Sequence, residues 1–256
     1  MYSNRPAVRL LLNGRALGTQ PVQQGVARFR VPFGAGLNQL RAEAPGQPLS
    51  DQIDIDFQLV PTPLASERLP FRELNVSLGD ARTFTDELLQ QVWLPEQPYQ
   101  PGGWGYVGGE AYKLPGTGRL PYGSDRNILG TDYDALYQTQ RAGLQQFRAD
   151  VPAGEYEVTL HFAELEAVPA GEQLVYNLGA ATSAPAAATA AGRSFAVRLN
   201  GQLVLPRLSA ATGLQPLRGS SFRFPVSVRG PQGLVVDFEP QTGRPVLNGI
   251  QIRRVW

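Results

Sequence analysis

Between residues 93 and 134 the chain gathers Tyr99, Trp104, Tyr106, Tyr112, Tyr122 and Tyr133, interleaved with Asp125, Arg126, Asn127 and Asp132. Aromatic faces can lie against the apolar C–H side of a pyranose, and planar polar groups beside them can pair with its hydroxyls. That combination predicts a shallow sugar site at one end of a sandwich. The competing expectation is that the segment folds over a sheet and buries the same aromatics as core. Just downstream, Gln138 and Arg141 either approach this cleft or satisfy buried backbone and pair with Glu164.

Other chemistries find little support. There is no cysteine, which excludes disulfides, thiolate nucleophiles and Cys-based metal sites. The single histidine, His161, rules out a multi-histidine zinc centre and falls on the polar face of its strand, where exposure is expected. Asp54 with Asp56, and Glu164 with Glu166, are spaced two apart on one strand face. Glycoside hydrolysis needs carboxylates on opposite sides of a cleft, so no catalytic residue is assigned. Loop aspartates near 125–134 can supply oxygen ligands to calcium but lack EF-hand spacing, and no metal or cofactor is expected. A net charge of +1 favours neither nucleic acid nor an anionic membrane. No apolar run is long enough for a membrane span, and Met1–Arg5 does not open a signal peptide.

The elements that must position these groups are strands. Gly 28 and Pro 22 in 256 residues, with 42% hydrophobic content, fit many short strands joined by turns. Alternation at Val8, Leu10 and Leu12 runs into Asn13-Gly14, a tight-hairpin signal. Further strands are expected at 26–31, 37–44 and 53–59, giving a small immunoglobulin-like sandwich over residues 1–60. A Pro-rich linker over 61–71 leads to a larger jelly-roll sandwich over 72–256. Its clearest strand carries Tyr156, Val158, Leu160 and Phe162 on one face. Thr85–Gln90 is the one helical candidate, residues 93–134 are expected to be irregular, and the Ala-rich stretch 179–191 a surface insertion.

Several phrases occur in an order that resembles malectin-like domains: Leu74-Asn75-Val76, Leu136 to Gly143, Gly154 to Glu164, Phe195 to Gly201, and Pro245 to Ile250. Tyr2-Ser3-Asn4 and Val8 to Gly18 resemble the Ig-like domain that follows the catalytic barrel in bacterial family 2 glycoside hydrolases. The tandem order, with Pro101 to Gly109, resembles the C-terminal end of β-galactosidase-like members. The resemblance implies a tail fragment: Met1 would truncate a strand, and the barrel with its acid/base and nucleophile glutamates would lie elsewhere. It further implies that the partners are the parent catalytic domain and a galactose- or glucose-containing oligo- or polysaccharide, and that the parent is periplasmic or secreted. The alternative it leaves open is a structural or oligomerisation module that binds no sugar. Malectin carries a sugar-contacting aromatic pair after its Phe-Ala-Glu-hydrophobic strand and an Asp before its last strand. Here Glu166-Ala167 and Gln241 to Pro245 stand in those places.

Overall fold

The computed structural model describes residues 1–57, 59–86, 88–89, 91–113, 123–166 and 192–255. Tyr122 and the Ala-rich stretch 179–191 lie outside the described residues. The chain divides into two compact units, Met1–Leu59 and Val60–Trp256.

In the first unit, strands β1 (Ala7–Leu12), β2 (Arg15–Pro21), β3 (Gly36–Glu43) and β4 (Ser50–Phe57) form one antiparallel sheet in the order β2-β1-β3-β4. Asn13 and Gly14 both take positive φ, 51° and 79°, the left-handed pair that a tight hairpin needs and that Asn-Gly supplies at low cost. Val8, Leu10 and Leu12 are buried on one face. Over that face lies the run 22–35, in which Ala27 is fully buried and Phe33 stacks on Phe57 at 4.3 Å. The strand expected at 26–31 is not formed: Val26 makes only isolated bridges, and the run covers the sheet without joining its ladder. Ile53 remains 57% exposed despite its apolar position in β4.

The second unit opens with β5 (Glu73–Ser77), β6 (Phe84–Asp86), β7 (Gln91–Pro95), β8 (Trp104–Val107) and β9 (Glu110–Ala111). A one-turn helix α1 (Asp134–Tyr137) precedes β10 (Arg141–Ala142), β11 (Gln146–Ala149) and β12 (Gly154–Phe162). From residue 192 onward come β13 (Ser194–Leu199), β14 (Gln202–Leu208), β15 (Ser220–Val228), β16 (Leu234–Thr242), β17 (Val246–Leu247) and β18 (Gly249–Val255). The five-stranded sheet β14-β13-β16-β11-β8 faces the six-stranded sheet β15-β12-β18-β5-β7-β6, and a small sheet β17-β10-β9 sits beside them. Phe147, Phe195, Val236 and Phe238 from one sheet meet Val76, Leu160, Phe162 and Ile252 from the other in the main core. This is the sandwich packing of two half-apolar sheets.

Tyr156, Val158, Leu160 and Phe162 are each at most 1% exposed, as period-two alternation requires. The opposite face of β12 departs from that logic at its C-terminal end, where His161 is buried rather than exposed. There a second cluster, including Trp93, Tyr112, Ile128, Leu136, Tyr137 and Leu217, covers the outer side of the six-stranded sheet. The described residues of the helix expected at Thr85–Gln90, all but Glu87 and Gln90, take another form. Phe84–Asp86 pairs with β7, and Asp86 Oδ1 accepts the amides of Leu88 and Leu89 at 3.0 Å each. An aspartate that caps the two following amides closes a turn in competition with a helix. Likewise the irregular stretch 93–134 contains strands, because β8 pairs with β11 along its whole length.

Candidate functional site

The candidate residues separate into three places. At the first, the register of β8 sets Trp104 and Tyr106 opposite Ala149 and Phe147, on the core side of the five-stranded sheet. Trp104 stacks on Phe147 with centroids 6.4 Å apart, so it is core rather than a sugar platform. Tyr106 lies under the guanidinium of Arg141, 3.3 Å from its ring centroid. Arg141 donates through Nε and Nη2 to both oxygens of Glu96 at 2.7 Å, and through Nη1 to Gly109 O at 2.6 Å. Buried and hydrogen-bonded through Nε, Nη1 and Nη2, Arg141 ties the 96 and 108–109 loops together and acts as a structural clamp. Its carboxylate partner is Glu96 and not Glu164, while its bonds to Gly108 O and Gly109 O satisfy buried backbone as the other expectation had it. Tyr99 is similarly engaged: its hydroxyl donates to Asp150 at 2.9 Å while Arg148 covers its ring at 4.3 Å. Burial, then the Asp150 carboxylate, raises the Tyr99 phenol above its ordinary pKa.

At the second place, Tyr112 is buried in the outer cluster and donates to Leu165 O at 3.2 Å. Gln138 Nε2 donates to Arg126 O at 2.9 Å, which fixes the 124–128 loop against α1, and Asp125 stays exposed on that loop. Around the residues that follow the Phe162-Ala163-Glu164 phrase runs a chain of ion pairs. Arg193 bridges Glu164 and Glu166, and Arg244 bridges Glu166 and Glu110. Arg193 also donates to Arg244 O at 2.9 Å. Where the family resemblance implied aromatic contacts, these loops are cross-linked by charge.

The third place is a depression of about 540 Å³ lined by Thr85, Asp86, Leu88, Leu89, Thr131, Asp132 and Tyr133. Tyr133 stands on an aromatic column, with Phe84 at 5.6 Å, Trp93 stacked on Phe84 at 6.2 Å, and His161 edge-on to Trp93 at 5.5 Å. Its hydroxyl donates to Thr85 O at 3.0 Å, so ring and phenol are held from two sides. Leu88 and Leu89 are 77% and 61% exposed on the rim. Of the candidate aromatics, Tyr133 lines a surface depression. Sequence reasoning missed Thr85, Asp86, Leu88 and Leu89, because a helix was expected there; the available signal was Asp86 standing two and three residues before Leu88 and Leu89, the spacing of an Asx turn.

Beneath this column the polar groups form a directed chain. Gln251 Oε1 can only accept, so His161 Nε2 carries the proton at 3.0 Å and Nδ1 accepts from Tyr137 Oη at 2.9 Å. Gln251 Nε2 donates onward to Gln91 Oε1 at 3.0 Å and to Asn75 Oδ1 at 3.2 Å, and Asn75 Nδ2 donates to Glu73 at 2.7 Å. Burial lowers the His161 pKa to about 4 and raises Tyr137 to about 12, so the imidazole is neutral and the phenol protonated at neutral pH. Asn248 plays a structural part, accepting from Ala163 N and donating to Tyr137 O and Thr139 O. Among the described residues no group of three or more His, Asp or Glu is placed to hold a metal ion.

Residues 92–219, half of the chain, match the family model of the malectin domain. The chain belongs to the malectin domain family. Ahead of the malectin domain, residues 1–48 match a model described as a domain of unknown function (DUF4982). No curated protein matches the sequence. Among solved structures, Bacteroides uniformis beta-glucuronidase 2, covalently bound to cyclophellitol-6-carboxylate aziridine, matches with TM-score 0.65 and 27% identity over 100% of this chain. A crystal structure of Bacteroides uniformis beta-glucuronidase matches at TM-score 0.66 and 27% identity, also over 100% of this chain. The chain spans only 26% and 27% of those two enzymes, so the malectin domain and the unit before it correspond to about a quarter of each. No helix among the described residues is long and apolar enough to cross a membrane.

Proposed function

We propose that this chain is the non-catalytic C-terminal part of a family 2 glycoside hydrolase, and that its malectin domain binds carbohydrate at the depression around Tyr133. The observation that carries the binding site is the held aromatic face of Tyr133, flanked by Thr131, Asp132, Thr85 and the exposed Leu88 and Leu89. A rigid ring beside hydroxyl and carboxylate groups suits the two faces of a pyranose, and about 540 Å³ lies in the range of small-ligand sites. Binding there would hold polysaccharide near a tethered catalytic domain and raise its effective concentration. Match to the Bacteroides enzymes over the full chain supports a glycosidase parent, acting on a β-galactoside or a β-glucuronide in the periplasm or outside the cell.

Titration and glycan-array binding of the purified chain test the reading. Tyr133→Ala should weaken binding by at least tenfold in a chain that still unfolds cooperatively, though at a lower temperature because the ring packs on Phe84. A wild-type chain that binds no oligosaccharide on the array would defeat it. Aryl β-galactoside and aryl β-glucuronide should both remain uncleaved; turnover lost on replacing one carboxylate would overturn the non-catalytic assignment. The second reading, a structural module without sugar binding, is favoured by the ion pairs among Glu110, Glu164, Glu166, Arg193 and Arg244, which occupy the loops where the family resemblance implied sugar contacts. It predicts an empty array for the wild-type chain and for Tyr133→Ala alike.

A further inference from the structure

The lining of the Tyr133 depression is one-sided in charge. Asp86 and Asp132 line it together with Thr85 and Thr131, and no Arg or Lys among the described residues does. Asp86 is buried with Oδ1 turned to the amides of Leu88 and Leu89, which holds its carboxylate in the turn that forms one wall. Asp132 is exposed on the opposite segment, where Thr131 Oγ1 accepts the Tyr133 amide at 3.0 Å. Arg82, three residues before Thr85, pairs with Asp80, and Arg218 runs alongside Gly130; neither lines the depression.

We infer that this site selects neutral or amino sugars and rejects uronic acids. The inference rests on the sugar-binding reading above and adds the charge class of the ligand. A uronate seated here would meet the exposed Asp132 carboxylate, with the buried Asp86 carboxylate behind the turn and no Arg or Lys of the described lining to offset them. Like charges with no counter-cation beside them repel at a protein surface, and salt screens that repulsion. Sugar hydroxyls, in contrast, are donors that carboxylates accept well, and a 2-amino group adds a charge-assisted bond. The apolar rim of Leu88 and Leu89 with the Tyr133 ring is indifferent to charge, so the acidic groups set the choice. The consequence is a division of labour if the parent acts on glucuronides: the catalytic domain would take the acidic residue, and this site the uncharged part of the same glycan.

The test holds linkage fixed and varies only charge. β-1,4-linked tetramers of glucose, glucosamine and glucuronic acid are titrated into the full chain at low salt, beside an array carrying neutral, amino-sugar and uronic-acid oligosaccharides. The glucose and glucosamine forms should bind at least tenfold tighter than the glucuronate form, and array signals should fall on neutral and amino sugars. Asp132→Asn should narrow that gap severalfold, as should added salt, without changing the melting temperature. Uronic-acid oligosaccharides that bind as tightly as neutral ones, on the array or in titration, overturn the charge assignment and leave the sugar-binding reading standing. An array with no signal at all removes that reading and the assignment with it.

Discussion

His161 shows how a single side chain can report on layers above its strand. Buried between Tyr137 and Gln251, it accepts from one and donates to the other, and only the neutral ring can do both. Its folded pKa of about 4 lies below the ordinary value of 6.5, with burial the main cause. Its stabilising contribution is therefore complete above about pH 6.5 and is lost as pH falls toward 4, where the unfolded chain takes up a proton that the fold refuses. Over that window roughly 3 kcal/mol should disappear, measured as urea-unfolding free energy against pH. His161→Gln should flatten the profile; an unchanged slope would show that another group is responsible. Arg141 invites a related measurement. Removing one member of its buried pair with Glu96 leaves the other uncompensated and should cost about 3–5 kcal/mol. Arg141→Met should accordingly lower the unfolding midpoint sharply, whereas a ligand contact on the surface would leave it in place.

At the scale of elements, β12 is the ruler of the second unit, pairing with β15 on one side and β18 on the other. Leu160 is fully buried between the sheets, so Leu160→Ala should cost about 2–5 kcal/mol through lost packing and the cavity left behind. Three positions away, Glu157 meets Arg253 at 2.7 Å on the open face, and Glu157→Ala should change stability by less than about 1 kcal/mol. Chemical denaturation of both variants checks the pair, and comparable losses would mean that the assigned faces are wrong. The edge strand β8 shows why aromatic content alone misleads. Gly105 has φ 152°, and a Cβ there would sit 2.4 Å from Gln97 O. This close backbone approach brings the 97–99 loop over β8 and turns Trp104 and Tyr106 inward as a pair. Gly105→Ala should destabilise by at least about 2 kcal/mol, read as a drop in melting temperature.

For the whole molecule, both apolar clusters of Val60–Trp256 are assembled from that unit's own residues. A chain of residues 60–256 expressed alone should thus unfold in one cooperative transition in calorimetry. A non-cooperative melt would show that residues 1–59 are required for its core. We propose the same division for the functional roles, with a spacer over 1–60 and the carbohydrate module beginning after the 61–71 segment.

Period-two alternation and Asn-Gly turns made the all-β class legible from the sequence, because a strand's two faces and a hairpin's positive φ values are local constraints. The hairpin expected at Asn13-Gly14 formed with positive φ at both residues, and Asn200-Gly201 joins β13 to β14 in the same way. The order of phrases from Leu74 to Ile250 likewise identified the malectin domain. What stacks on the outer face of a sheet is not written in the period of a strand. That is why His161 was misread as exposed, and why Trp104 and Tyr106 turned out to face the core. Thr85–Gln90 satisfied helix-like composition, yet Asp86 capping Leu88 and Leu89 and the pairing of Phe84 with Trp93 gave it a turn and a strand. The tertiary structure alone brought that turn beside Thr131, Asp132 and Tyr133, some 45 residues further along, since contact across such a separation depends on how the sheets pack.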